Sequence, residues 1–164
     1  MDHARDHNDK TSGERPRIGL VLAAHAPIGS ALLAAAREIT GHDDGVVVVD
    51  LSRGPGSDDA AAAFEHMRAA VDAADRGAGA LVLADTFGGS AANIALAQLD
   101  RASVEVVTGL NLAMVLEALL ARATEGSVRA LAERAADAAR GSVVVASELI
   151  DGRARAADPF SHVR

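Results

Sequence analysis

Apolar and polar positions fall into alternating blocks of two kinds along this chain. Ile18-Gly-Leu-Val-Leu-Ala-Ala24 is a short continuous apolar run, the pattern of a strand buried on both faces. From about Pro27 to Thr40 the pattern turns helical, with Ile28, Leu32 and Ile39 among alanines and Gly41 as a stop. Val46-Val-Val-Val-Asp-Leu51 predicts a second strand, because four consecutive β-branched residues crowd χ1 in a helix. The loop Ser52–Gly56 follows, then Ser57 as an N-cap with Asp58 and Asp59 in the first turn, where the helix dipole favours anions. Phe64, Met67, Val71 and Ala74 continue that helix on one face. Gly77 and Gly79 end it.

Ala80–Ala84 predicts a third buried strand, Asp85-Thr-Phe-Gly-Gly89 a tight loop, Ser90 an N-cap and Ala91–Leu99 a helix. Val104–Thr108 reads as a fourth strand. After Gly109-Leu-Asn111, residues Leu112, Val115, Leu116 and Leu119 mark another helix, and Ser127–Arg140 a further one with Val128, Leu131, Ala135 and Ala138 on one side. Gly141 is expected to break it, and Ser142–Ala146 to form a fifth strand. Fully apolar strands alternating with helices imply an α/β sheet covered on both faces. The expected architecture is flavodoxin-like and doubly wound, with four parallel strands in the order 2-1-3-4 plus a C-terminal strand of undetermined placement. The domain should span 18–150, with a disordered polar tail at 1–17 and a polar C-terminal tail at 151–164.

The chain has 164 residues, a length that suits one domain. Three Phe are its whole aromatic content, so the core must come from Val, Leu, Ile and Ala, and stacking platforms for single strands are lacking. The formal net charge is −7, which removes the counterion-release drive toward nucleic acid. Without Cys there is no disulfide, thiolate nucleophile or Cys-ligated metal. No apolar run reaches the roughly 18 residues of a membrane span. The first residues lack the apolar core of a signal peptide, so direct membrane insertion is not expected and a cytoplasmic location is.

In sheets of this kind, reactive groups sit beyond the carboxyl ends of the strands, at the switch point between strands 1 and 3. His25 is the first residue expected after strand 1 and Asp85 the first after strand 3. A carboxylate that accepts the proton of one imidazole nitrogen fixes the tautomer and leaves the other nitrogen with an exposed lone pair. Such a nitrogen can attack an acyl or phosphoryl centre. Gly88 and Gly89 permit close backbone approach, and Ser90 opens a helix whose amides could bind a phosphate. A His that merely hydrogen-bonds a neighbour at a helix start is the plainer reading of His25 alone; Asp85 and the Gly-Gly-Ser start weigh against it. His42 and His66 read as surface residues, and His3 and His7 as part of a solvated tail. Asp43-Asp44 and Asp58-Asp59 read as turn and first-turn residues. P-loop, nucleophile-elbow and dinucleotide fingerprints are all missing, and a zinc site would need a third ligand beside His25 and Asp85.

The segments Ala-His25-Ala, Val-Leu-Ala-Asp85-Thr-Phe-Gly-Gly-Ser-Ala-Ala-Asn93 and Thr-Gly109-Leu-Asn111-Leu-Ala-Met114-Val-Leu-Glu117 resemble the EIIA domain of the mannose family. That family belongs to the bacterial phosphoenolpyruvate:sugar phosphotransferase system (PTS), and the resemblance runs from about Ile18 to Ile150. It implies a cytoplasmic phosphoryl carrier, usually a homodimer, whose last strand (here Val143–Ala146) lies antiparallel at the sheet edge and is exchanged between subunits. It further implies that His25 takes a phosphoryl group from the histidine-containing phosphocarrier protein HPr and passes it to an EIIB partner for carbohydrate uptake. By the same resemblance Asp85 orients the imidazole and Ser90 stands at the phosphate-binding helix start. No metal or other cofactor is implied, because donor and acceptor are both histidines.

Two positions depart from the family pattern. Ala26-Pro27 stands where a Gly often follows the family histidine, and Ala113 where a Pro often precedes the family Met. Both leave the side-chain chemistry intact, and they raise the alternative of a regulatory PTS protein whose phosphorylation state controls partner binding without sugar transport. A dihydroxyacetone kinase phosphotransfer subunit would share the fold but typically carries Asp-Met-Gly-Ser after strand 3. A receiver domain would need an acidic pair after strand 1, where this chain has Ala23-Ala24-His25.

Overall fold

In the computed structural model of the protein, residues 16–42, 45–51, 60–148 and 150 are described. The chain runs β1 (Gly19–His25), α1 (Ile28–Thr40), β2 (Val46–Leu51), α2 (Ala60–Ala74), β3 (Ala80–Ala84), α3 (Ser90–Leu96), β4 (Val104–Thr108), α4 (Leu112–Ala121) and α5 (Val128–Gly141). The four strands form one parallel sheet in the order β2-β1-β3-β4. This is the α/β architecture that the alternation of blocks implies.

The sheet is buried on both faces because its strands are apolar throughout, and the pleat divides their side chains between two cores. Leu20, Leu22, Leu81 and Leu83 point to the face covered by α1, α4 and α5, where they meet Met114, Val115 and Leu131. Val21, Ala23, Val82, Ala84 and Val49 point to the other face, against Met67 and Val71 of α2 and Ala91, Ala92 and Ala95 of α3. The leucines thus fill the thicker core, and the small residues let α3 lie close to the strands.

Helix termini are fixed by particular partners. Asn111 caps α4 by accepting from the Met114 amide at 3.0 Å, and Ser127 caps α5 by accepting from Ala130 at 3.1 Å. Gly41 closes α1 in a left-handed conformation, donating its amide to Arg37. The helix after β3 differs from expectation: Gly89, in an extended conformation, is its N-cap, and Ser90 is the first helical residue. It also stops at Leu96, because residues 97–100 tighten into turns in which Gln98 and Leu99 donate to Ala95 and Leu96.

The fifth strand expected at Ser142–Ala146 is not a strand within this chain. Helix α5 runs through Gly141, and residues 143–145 have no regular structure. Val143, Val144 and Val145 are 79%, 57% and 59% exposed. A valine run expresses a propensity for pleated, half-buried surface, and alone it forms no ladder. The Ser57 cap, its loop 52–56, the acidic pairs Asp43-Asp44 and Asp58-Asp59, and both tails apart from Pro16 and Arg17 lie outside the described residues.

Candidate functional site

The parallel order brings the carboxyl ends of β1 and β3 side by side, and with them His25 and Asp85. His25 is the last residue of β1, one position earlier than the sequence suggests, and pairs with Leu51 of β2. Asp85 directly follows β3 and is held by its own backbone: its amide donates to Ala23 at 3.1 Å, and its carbonyl accepts from Gly109 at 3.0 Å. Its carboxylate is fixed as firmly. Oδ2 accepts from the His25 amide at 2.9 Å and lies 2.6 Å from Nδ1 of the His25 ring, while Oδ1 accepts from the Thr86 amide at 2.6 Å.

The two side chains sit in different environments. Asp85 is 8% exposed and His25 35%. Burial alone would raise the Asp85 carboxyl. The hydrogen bonds from the His25 ring, the His25 amide and the Thr86 amide, with the attraction of a charged imidazole, outweigh it and hold that carboxyl below its usual value. Asp85 is therefore an anion at neutral pH, and an anion against Nδ1 keeps a proton there. The lone pair of a neutral ring is then on Nε2, and the side chain is one-third exposed.

The loop from Asp85 to Ser90 wraps the ring. Gly88 takes a positive φ of 80°, Gly89 donates to Thr86 at 3.0 Å, and Asn93 donates from Nδ2 to Gly88 at 3.3 Å. A Cβ on Gly89 would stand 3.7 Å from Cε1 of His25 and 3.1 Å from the Thr86 carbonyl, so glycine brings the helix start against the imidazole. The cap of α3 makes no side-chain hydrogen bond, in contrast to those of α4 and α5. Phe87, within this loop, is 75% exposed.

Asp50, at the end of β2, is a residue the sequence reading passed over. Its Oδ1 accepts from the Gly29 amide at 3.0 Å and its Oδ2 from Ser30 at 3.3 Å, capping α1 from a neighbouring strand where Pro27 supplies no cap of its own. A Cβ on Gly29 would lie 2.7 Å from that Oδ1, so glycine admits the carboxylate. His42 and His66 are exposed, as expected. Among the described residues no three His, Cys, Asp or Glu side chains cluster as metal ligands.

The EIIA-man profile, described as the PTS system fructose IIA component, matches residues 19–136. The chain belongs to the EIIA-man family. It is 31% identical over 127 residues to the PTS system mannose-specific EIIAB component of Escherichia coli K12, covering 77% of this chain and 38% of that protein. The EIIA-man chain thus spans well under half the length of the curated relatives it matches. Its structure resembles that of phosphotransferase system component EIIA from Streptococcus agalactiae, with TM-score 0.69, 26% identity, and coverage of 80% of this chain and 98% of that one. The mannose/sorbose specific IIA subunit from Enterococcus faecalis matches as well, with TM-score 0.69, 27% identity, and coverage of 79% and 94%. No helix among the described residues is long and apolar enough to cross a membrane.

Proposed function

We propose that this EIIA-man chain is a phosphoryl carrier that uses His25 as its acceptor. The observation that carries the reading is the 2.6 Å contact between Asp85 Oδ2 and His25 Nδ1 beside an imidazole that is still one-third exposed. In the proposed step, Nε2 of neutral His25 attacks the phosphorus of a phosphohistidine on HPr. The new N–P bond forms as the old one breaks, and the donor imidazole departs with the electron pair of the broken bond. The phosphorylated His25 ring, still protonated at Nδ1, acquires positive charge that the Asp85 carboxylate stabilises. Transfer onward to a nucleophilic side chain of an EIIB partner reverses these roles. Because the phosphoryl group arrives already activated, the protein contributes position and electrostatics.

The phosphoryl oxygens are assigned to the turn at Gly88, Gly89 and Ser90, with the Gly88 and Ser90 amides as donors and Gly89, whose own amide is held by Thr86, permitting the close approach. The amides of α1 are engaged by Asp50 and the first turn of α4 by Asn111, whereas α3 begins at a glycine with no capping side chain. That distribution supports the assignment. Incubation with phosphoenolpyruvate, enzyme I and HPr, read by intact-mass spectrometry, tests it. One acid-labile phosphoryl group on the wild type and none on a folded His25→Ala variant is the expected result, and retained acceptance by that variant would refute the assignment. Reaction with these partners would take place in the cytoplasm.

We also propose a homodimer formed through the free edge of β4. Among the described residues one side of β4 has no strand neighbour, and a groove of about 670 Å³ runs along it, lined by Glu105, Val106, Val107, Ala132, Ala136 and Arg140. The valine run Val143–Val145 is exposed on the same chain. Seated on a second copy's β4, that run would pair the open edge and bury its own side chains. Sedimentation equilibrium should give a dimer mass, and a monomer at every concentration would exclude the exchange.

A further inference from the structure

A second pocket lies away from His25, where the middle of α2 faces the turn that leads from α3 into β4. It has a volume of about 380 Å³ and is lined by Phe64, Arg68, Asp72, Gln98, Asp100 and Arg101. Gln98 is 2% exposed, yet its Nε2 has no hydrogen-bond partner, and neither has the buried Nη1 of Arg101. Both groups are donors only. Their backbones are fixed by the turn itself, in which the Gln98 amide donates to the Ala95 carbonyl at 2.9 Å and the Arg101 amide to the Gln98 carbonyl at 3.2 Å. The Arg101 guanidinium is anchored from its other nitrogen, with Nη2 donating to Asp72 at 2.6 Å. Buried N–H groups are almost always paired, so unpaired ones on two residues that line a single pocket call for an acceptor.

The chemistry of the lining narrows the choice of acceptor. Arg68 and Arg101 stand against Asp72 and Asp100, so the pocket carries no formal net charge. A singly charged carboxylate can take both donors with little opposition, while the second charge of a phosphate would meet the two aspartates. Phe64, half-buried in the wall, offers apolar surface for a carbon skeleton. We propose that this pocket binds the carboxylate of a small organic acid through Gln98 Nε2 and Arg101 Nη1. The site is independent of His25, but α3 connects them, with Gly89 at one end beside the imidazole and the Gln98 turn at the other.

The test is a titration of the whole chain with acetate, pyruvate and inorganic phosphate at constant ionic strength, following the backbone amides of residues 98–101, which every variant retains, by ¹⁵N NMR. Saturable shifts with the carboxylates, abolished in Gln98→Leu, are expected. In the absence of ligand that variant should melt no lower than the wild type, since it removes an amide without partners. Gln98→Glu, which keeps the side-chain shape, should likewise lose binding. No saturable shift in any arm would overturn the proposal. Saturation by phosphate at lower concentration than by either carboxylate would overturn the choice of ligand. A drop of several degrees in the melting temperature of ligand-free Gln98→Leu would show the amide to be paired within the protein, which also overturns it. None of these readings depends on phosphorylation of His25.

Discussion

Removal of the Asp50 carboxylate is the sharpest test of how β2 positions the start of α1. In Asp50→Ala the amides of Gly29 and Ser30 lose the acceptors they hold at 3.0 and 3.3 Å. Loss of an N-capping side chain costs about 1 kcal/mol, and loss of its charge at the helix N-terminus about 0.3–1 kcal/mol more. Gly29 is buried, so its abandoned amide adds part of a desolvation penalty, and a total near 2 kcal/mol follows. With a urea dependence of about 1–3 kcal/mol per molar for a domain of this size, the unfolding midpoint should fall by roughly 1 M with an unchanged slope.

Gly29→Ala perturbs the same contact from the other side. Its new Cβ would meet Asp50 Oδ1 at 2.7 Å and Val48 Cγ1 at 3.0 Å. The alanine gains up to about 1 kcal/mol of helix propensity, yet it must displace the carboxylate. In the Asp50→Ala background that obstacle is gone, so Gly29→Ala should cost less there, with a coupling of about 1 kcal/mol. Strict additivity of the two substitutions, or an Asp50→Ala midpoint within about 0.2 M of wild type, would refute the capping role.

Three further variants have expected outcomes. Asp85 has its folded pKa held below the usual 3.8, so its stabilising contribution is complete well above that value and is lost as pH falls through the lower folded one; Asp85→Asn should therefore destabilise the protein at neutral pH in urea unfolding by about 1.5–3 kcal/mol, with the gap narrowing toward about pH 3. The same variant should accept phosphoryl groups from HPr more slowly in a rapid-quench assay, and an unchanged rate would remove Asp85 from the mechanism. Phe87→Ala, at a ring that is 75% exposed, should leave the melting temperature unchanged while slowing acceptance, since exposed aromatics beside a reactive group are typical docking anchors. Leu22→Ala removes a fully buried side chain of the larger core and should cost about 2–5 kcal/mol by urea unfolding.

The parts of this fold that were legible in the sequence are those a local pattern dictates. Val46–Leu51, Ala80–Ala84 and Val104–Thr108 appear as strands at the expected bounds, because continuous β-branched and leucine runs suit a sheet covered on both faces. The sheet order then placed His25 next to Asp85, and the side chains stand 2.6 Å apart. Val143–Val145 carried the same local signal and formed no strand, since a ladder depends on an aligned partner strand that no local run of residues specifies. The α3 boundary failed for a related reason: nothing in Ala91–Leu99 announces that residues 97–100 prefer tighter turns. Asp50 was hidden by its position inside a strand, where an acidic residue carries no capping signal of its own. Yet β2 adjoins β1, so the topological argument that pairs Asp85 with His25 also sets the end of β2 beside the start of α1.

The two carboxylates also bear on how an acidic chain can receive a phosphoryl group at all. With a formal net charge of −7, and with Asp50 and Asp85 both at the carboxyl edge of the sheet, an incoming dianion faces repulsion that grows as water is excluded. Neither carboxylate is left bare. Asp85 accepts from the His25 amide, the Thr86 amide and the imidazole, and Asp50 from the amides of Gly29 and Ser30. These donors draw each negative charge inward, toward backbone and ring. Beside the imidazole lies the glycine-rich turn at Gly88 and Gly89, where a side-chain carboxylate as cap would have set a further negative charge against an incoming phosphoryl group. On this argument a carboxylate introduced at position 89 should impair phosphoryl acceptance more than its effect on folding explains. Gly89→Asp, compared with Gly89→Asn in the same acceptance assay, separates the charge from the steric change: the asparagine variant should be the faster of the two, and equal rates would show that the field at this turn does not govern transfer.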